Sequence, residues 1–548
     1  MQISRLKIEN FRGIKSSSLL MNEHTVFVGD NNTGKSTILE AIDLVLGPER
    51  LSRLPIIDEH DFYAGEYRGD PNPEIVIEVV VTGLSEEQEI HFRNNIEFWD
   101  HETKILLSAP PPSGTDRKTV ASALRVKFVG HYDEEEDDFV GETFFMSPIN
   151  EDSSFSRFGK ADKRRCGFLF LRTVRTGSRA LSLEPGSLLD VILRLQEVRP
   201  QMWEELLEQL RNLSVAENPS LEITPILENI QKRIREYVPI EWASSPHMKV
   251  SDLTRSHLRK ILTFFIATGA KKNDGSKYSA PFYHQGTGTI NTLVLSLLSM
   301  IADLKQNVIF AMEEPEIAIP PYTQKRIVKE LTSKASQAIF TSHSPYVLEE
   351  FHPQDVIVVQ RSGGELIGNR AEMPPTIKPK QYKEEFKRRF CEALLARRVL
   401  ITEGTTEFTS IPEAFRRLNK LDQKKYFPLE ALGIAIINAE TDSQVKPLGE
   451  FFKKLGKEVF AIFDKQEESV SKSIHVAIEH CFESSEKTFE DVVLNQTSES
   501  ALKRFALNLV DQGKWPPHLV EKNPKNSQDL QTLKKYLFEY FKWSKGHG

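Results

Sequence analysis

Residues Gly29 to Ser36 read GDNNTGKS, and no other stretch restricts the fold of this chain as tightly. A β-rich run, HTVFVG, leads into it, and STILEAIDLVLG, with apolar residues at helical spacing, leads away. Strand, glycine loop and helix in that order make a cradle for phosphate. Gly29 and Gly34 let the backbone turn its N–H groups and the helix N-terminus toward an anion, Lys35 brings a cation, and the Ser36 hydroxyl can ligate Mg²⁺. Asn31, Asn32 and Thr37 belong to the same binding stretch. The alternative, a glycine turn with no ligand, is weakened by the strand before it and the helix after it.

An ATP site needs more than a cradle. The run NVIFAMEEPE sets Glu313 and Glu314 directly after an apolar strand. One acid there can hold Mg²⁺, directly or through water, and the next can orient an attacking water. Another apolar strand, QAIFTSHSP, ends near His343, whose ring can donate to a γ-phosphate. In HQGTGTINTLVLSLL, Gly286, Thr287 and Gly288 stand before a helix as a second set of backbone donors suited to phosphate. Taken singly, the acids read also as a solvated strand end, the histidine as structural and the glycines as a helix cap. The phosphate loop on the same chain binds them into one expected set.

At 548 residues the chain is too long for one ordinary core. A hydrophobic share of 39% and a charged share of 27% exclude a largely disordered or collagen-like chain. The net charge of −7 excludes a general polycation, so nucleic acid would have to be met by local patches. Cys166, Cys391 and Cys481 are far apart and form no C-x-x-C pair, which indicates neither zinc nor a disulfide framework and fits a reducing cytoplasm. The runs ILTFFIATGA and TLVLSLLSMIA fall short of the roughly 18 to 20 residues a bilayer needs and are expected as core elements, with no membrane association. Arg5, Lys7 and Glu9 interrupt any apolar leader.

Periodicity divides the remainder. MQISRLKIENFRGI alternates Ile3, Leu6 and Ile8 with polar residues, and NPEIVIEVVVT is a further strand; HYDEEEDDFVGE is an acidic loop or hairpin tip. Over 187–262 the pattern turns helical, with Leu206, Leu207 and Leu210 on one segment and Ile226, Ile230 and Ile234 at i+4 intervals on another. Glycine, proline and charge without periodicity mark a linker over 366–395. After it, RRVLITEG, GIAIIN and EVFAIFD alternate with helical stretches as a compact βα domain over 396–548. There LITEGTTEF delivers Glu403 to a strand's carboxyl end, with Glu407 one helical turn beyond; EVFAIFD ends on Asp464, and KTFEDVV offers Glu490. Acids converging from separate strands suit Mg²⁺ or Mn²⁺ and phosphodiester cleavage; exposed strand-end acids are the alternative.

The first set of motifs, with the opening IENFRGI, resembles the ABC-type ATPase heads of chromosome-maintenance and recombination proteins. The second half resembles a Toprim domain. The order of the two, with V-L-I-T-E-G-x-x-E opening the latter, resembles the OLD (overcoming-lysogenization-defect) nucleases, of which Gabija-like antiphage systems are an example. The fold the resemblance implies is α/β: an ATPase head over 1–186 and 263–365, a helical dimerisation element inserted at 187–262, and a Toprim domain. It further implies ATP and Mg²⁺ as cofactors, DNA as substrate, a homodimer or higher assembly in which Gly286, Thr287 and Gly288 complete a partner's site, and antiphage defence. A helicase, or a reverse transcriptase with its RNA, accompanies many relatives. Glu314, His343, Glu403 and Asp464 take catalytic roles by the same resemblance, Ser36, Glu313, Glu403, Glu407, Asp464 and Glu490 metal-binding ones, and Lys545 that of a C-terminal functional lysine.

The chain departs from the family pattern at four places. IAIPP stands where L-H-P is usual after the acids, and Ile290-Asn291 replace Gln-Arg after the signature, which implies slow hydrolysis. The usual D-x-D is Asp464-Lys465-Gln466, and the stretch GIAIINAETDSQ has no glycine after Asn438, where a glycine-rich loop is expected. A weakened, Mn²⁺-preferring nuclease, or a scaffold that does not cleave, is therefore the competing expectation.

Overall fold

Alternating apolar residues in the opening segment produce the strands Gln2–Phe11 and Ile14–Leu20, which pair antiparallel with Arg5 opposite Leu20 and Phe11 opposite Ile14. Leu6 and Ile8 are fully buried, as the period of two predicts, whereas Ile3, three residues before Leu6, is buried across a register shift between Ile3 and Arg5. The computed structural model describes residues 1–48, 55–112, 116, 119–147, 155–171, 181–184, 187–212, 223–239, 254–304, 308–317, 320–373 and 384–544. Its contacts divide the chain into two units. The first holds Met1–Phe27, Gly34–Glu350 and Arg361–Ile367; the second holds Val28–Thr33, Phe351–Gln360 and Gly368–Gly548.

In the first unit Gln2–Phe11 also pairs antiparallel with Ile75–Thr82, and that strand with Val120–Asp133. A hairpin then returns along Asp138–Phe145, with the acidic run at its tip, where the Asp133 carboxylate accepts the N–H groups of Glu135 and Glu136. A second stretch of sheet is parallel, running from His24–Val28 through Gln337–Thr341 and Ile309–Glu313 to Phe168–Leu171. Ile309–Glu313 and Gln337–Thr341 are buried along their whole length, which is why they read as continuous apolar runs. The helix Lys35–Leu46 lies against this sheet through Ile38, Leu39, Ile42 and Leu46, all fully buried.

The helical insert contains Leu188–Leu195, Arg199–Asn212, Ile223–Ile234 and Arg255–Ile261. Arg259 lies over the buried Trp203 ring, and Arg255 reaches Glu204, so the last of these helices is tied to the second. The predicted stripe of Ile226, Ile230 and Ile234 is exposed. ILTFFIATGA, expected in the core, is instead largely an exposed hairpin strand, Phe265–Lys271, paired among the described residues with Lys277–Pro281. In this two-stranded ribbon Phe264 and Phe265 are exposed. TLVLSLLSMIA lies in an 18-residue helix, Thr287–Leu304, long and apolar enough by composition to cross a membrane. It buries Val294, Leu295, Leu298 and Ile301 on one face, against Leu188–Leu195 and Pro321–Lys334.

The second unit carries a sheet of four parallel strands in the order Ile434–Asn438, Arg398–Thr402, Glu458–Phe463, His480–Glu483. C-terminal helices Phe489–Gln496, Glu499–Asp511 and Leu530–Ser544 gather around Leu502, Trp515, Leu533 and Leu537. The expected linker is not one continuous irregular stretch: strand Glu365–Arg370 enters it and helix Glu384–Leu395 closes it. Its centre, 374–383, lies outside the described residues, as does Lys545.

Lys163 tests the packing of the first unit. Its side chain is fully buried, donating to the Leu44 carbonyl at 2.7 Å, and burial pushes the ammonium down to about 8 from its ordinary 10.5. Between those values the unfolded chain binds more protons than the folded one, so this residue's contribution to stability increases as pH rises. Urea unfolding at pH 8 and pH 10 is expected to show wild type gaining stability relative to Lys163→Met; a constant difference would count against this account.

Candidate functional site

Parallel pairing sets the first site. Thr341 pairs with Phe27 on one side and Glu313 on the other, so three strands reach one level together. The phosphate loop, the acid pair and the His343 turn each begin at that level. Within the loop, Gly34 has φ 103 and Asn32 φ 64. A Cβ on Gly34 would meet Leu366 at 2.8 Å, and one on Gly29 would meet the Val359 carbonyl oxygen at 2.5 Å. The contact at Gly29 is with backbone and excludes a larger residue, whereas at Gly34 the positive φ is what favours glycine. Lys35 is buried and Ser36 exposed in the first turn of the following helix, and the Asp30 carbonyl accepts both the N–H and the hydroxyl of Thr33.

Glu313 is buried at its strand end, whereas Glu314 sits at φ 45, a left-handed conformation costing on the order of 1–3 kcal/mol for a residue other than glycine. Its N–H donates to the Thr341 carbonyl at 2.9 Å, which holds the strained turn against the neighbouring strand. Gly286 and Thr287 are exposed at the start of helix Thr287–Leu304, with Gly288 half-buried. Asn291, noted as a departure from the family pattern, is buried and donates its side-chain amide to the Ile317 carbonyl, tying that helix to the acid loop. Also absent from the sequence reading is a cavity of about 760 Å³ lined by Arg12, His60, Tyr63 and Arg361. Arg12 is held in place by Glu40 of helix Lys35–Leu46 and by Asp61.

The second site follows the same logic in the four-stranded sheet. Thr402 stands level with Asn438 and Ile462, so Glu403 and Asp464 emerge from adjacent strands at one sheet edge. Glu403 Oε2 accepts the Asp464 N–H at 2.9 Å and the Gln466 side-chain amide at 3.0 Å. Gln466 in turn donates its backbone N–H at 3.1 Å to Glu483, a strand-end acid the sequence reading missed. Glu407, buried in the first helical turn, brings its carboxylate back over Gly404, where a Cβ would stand 2.7 Å from Oε2. Burial pushes the Glu403 carboxyl above its ordinary value, with Asp442 and Glu407 adding repulsion against the Asp464 and Gln466 donors. Asp442, in the first turn of helix Asp442–Lys454, is therefore a further member of the site; in NAETDSQ it stands beside Glu440 with no local pattern to single it out. Glu490 is buried in helix Phe489–Gln496.

These oxygen donors are of the hard type that Mg²⁺ or Mn²⁺ takes. Among the described residues, however, no three His, Cys, Asp or Glu side chains are arranged to hold a metal ion. The amide of Gln466 occupies one face of Glu403 instead.

A family profile described as AAA ATPase domain matches residues 1–154 and 190–348. A second, described as Overcoming lysogenization defect protein-like, TOPRIM domain, matches 394–465. Old nuclease of Escherichia phage P2 is 19% identical over 453 residues, spanning 76% of this chain and 70% of that protein. Endonuclease GajA of Bacillus cereus (strain VD045) is 22% identical over 427 residues, spanning 74% of this chain and 66% of that one. Among solved structures, the SMC head domain from Thermotoga maritima aligns at a TM-score of 0.33 and 13% identity, over 68% of this chain and 100% of its own.

The raised Glu403 carboxyl makes stability depend on pH in a defined direction. The folded state holds the proton more tightly, so the group's contribution is complete below its unfolded value and is lost as pH rises through the folded one. Glu403→Gln is therefore expected to raise the melting temperature at pH 7.5 and leave it unchanged near pH 4, by differential scanning fluorimetry. Gln466→Leu, which removes a donor to the carboxylate, should lower the melting temperature at pH 7.5. Equal melting at both pH values in all variants would show that Glu403 is not under strain.

Proposed function

Because the chain belongs to the OLD family, with an AAA ATPase domain followed by an OLD-like Toprim domain, we propose that it is a DNA endonuclease governed by ATP and serving antiphage defence in the cytoplasm. The observation carrying the ATP half is the shared level of Phe27, Thr341 and Glu313, which brings phosphate loop, acids and His343 to one sheet edge. Gly29, Gly34 and Lys35 would hold the phosphates, and Ser36 and Glu313 the Mg²⁺ that offsets their charge. Glu314 would orient the attacking water, while His343 would donate to the terminal phosphate. The cavity bearing Arg12 and Arg361 is of the size small-molecule sites have, and would take the nucleoside end. Gly286 and Thr287, exposed at their helix start, would complete the site of a second copy together with the half-buried Gly288.

At the Toprim edge, Glu403 and Asp464 would hold one Mg²⁺ or Mn²⁺, with Glu407 and Asp442 beside them and Glu490 as a further acid. A divalent ion supplies Lewis acidity for phosphodiester cleavage. The donor set suits one cation and not a pair, since the second acid of D-x-D is the amide of Gln466. That same amide favours a second reading, an ATPase scaffold that binds DNA or a partner protein without cutting. A helicase, or a reverse transcriptase and its RNA, is the kind of partner either reading admits.

Plasmid DNA incubated with Mg²⁺ or Mn²⁺ separates the two. Wild type is expected to nick or linearise it, and Glu403→Ala to lose on the order of a hundredfold or more of that rate. Lys35→Ala should lose ATP binding and the effect of ATP on cleavage. Cutting that survives Glu403→Ala would remove the Toprim site from the mechanism. ATP binding with no cutting by wild type or Gln466→Asp, in either metal, would favour the scaffold.

A further inference from the structure

The sequence EEPE supplies a third acid, Glu316, that the reading of the nucleotide site leaves without a role. Its Oε1 accepts the backbone N–H of His343 at 2.6 Å. Oε2 is buried and has no hydrogen-bond partner among the described residues. Around this contact the two turns are joined repeatedly. The Glu314 N–H donates to the Thr341 carbonyl at 2.9 Å, and the Gln324 amide donates to the Glu316 carbonyl at 3.4 Å. Ser344 donates its hydroxyl to Gln324 at 2.7 Å and its N–H to the Ser342 hydroxyl at 3.0 Å. Ser342, Ser344 and Gln324 are themselves buried.

We propose that Glu316 is a positioning residue of the nucleotide site, fixing His343 through its main chain without touching the nucleotide. This rests on the ATPase reading given above. Backbone pairing between the strands ends at Glu313 and Thr341, two residues before His343, so the ladder alone does not determine where the histidine lies. The Glu316 carboxylate carries the connection across that gap. It is anchored on the loop that also holds Glu313 and Glu314, so the acids and the histidine are set relative to one another. The carboxylate stands there although one oxygen is buried and unpartnered among the described residues, an arrangement that burial alone disfavours.

Glutamine at this position keeps an acceptor for the His343 N–H and removes the charge, whereas alanine removes both. In the full chain, hydrogen–deuterium exchange at the His343 amide is expected to speed up on the order of tenfold in Glu316→Ala and to stay near wild type in Glu316→Gln. ATP turnover should fall roughly tenfold to a hundredfold in Glu316→Ala, recover most of that in Glu316→Gln, and leave ATP affinity within about twofold in both. Adding Glu316→Ala to His343→Ala should produce little further loss. Unchanged exchange at His343 in Glu316→Ala would overturn the proposal, as would equal turnover losses in the two Glu316 variants when only alanine speeds exchange. Should wild type bind ATP without turning it over, the hydrolytic reading fails while the exchange comparison still decides whether Glu316 holds His343.

Discussion

The hydrogen-bonded row from Phe27 through Thr341 to Glu313 is the constraint on which the N-terminal half depends. Parallel strands cannot slide by one residue without turning every side chain to the opposite face, and here both faces are buried. The register is pinned at its far end by Gln337. This fully buried amide accepts the Ile3 N–H at 2.7 Å and donates to the carbonyls of Ile3 and Asn22 at 2.9 and 2.8 Å. One side chain thus joins the antiparallel and parallel stretches at the end opposite the site. A chemical arrangement at one edge is fixed by polar bonding at the other.

In the second unit the same construction brings a different chemistry to the sheet edge. Two adjacent parallel strands present Glu403 and Asp464, and a third presents Glu483. An acid in place of Gln466 would add negative charge beside a Glu403 that burial and neighbouring acids already strain. The amide relieves that strain by donating to Oε2. Electrostatically, this edge can assemble with less need of a counter-ion, and any cation taken up there competes with a bond already made.

Local motifs were the legible part of the sequence. The phosphate loop, both acid-bearing strands and the helical insert could be read because each carries its own periodicity and punctuation. What escaped was non-local. Glu483 and Asp442 gain meaning only from neighbouring strands, and Glu316 only from the turn holding His343, 27 residues further on. The exposed hairpin strand Phe265–Lys271 was misread because an apolar run does not say whether anything will lie over it. Conversely, the glycines and charges of GELIGNR read as linker, yet strand Glu365–Arg370 pairs with Ile14–Leu20 through Glu365 and Leu366. In that strand the partner supplied what the local propensity lacked.

The two departures from the family pattern whose side-chain bonds are visible share a physical form. At Asn291 and at Gln466 a neutral amide stands where relatives place a charged group, and in both the amide donates to an oxygen of the same unit. An arginine or a carboxylate at these positions would carry a charge that seeks a ligand or counter-charge. An amide finds its partner within the fold. Each amide thereby ties two elements of its own unit, the helix Thr287–Leu304 to the acid loop and the strand end at Asp464 to that at Glu403, so that the local geometry at both positions is set by a bond internal to the fold.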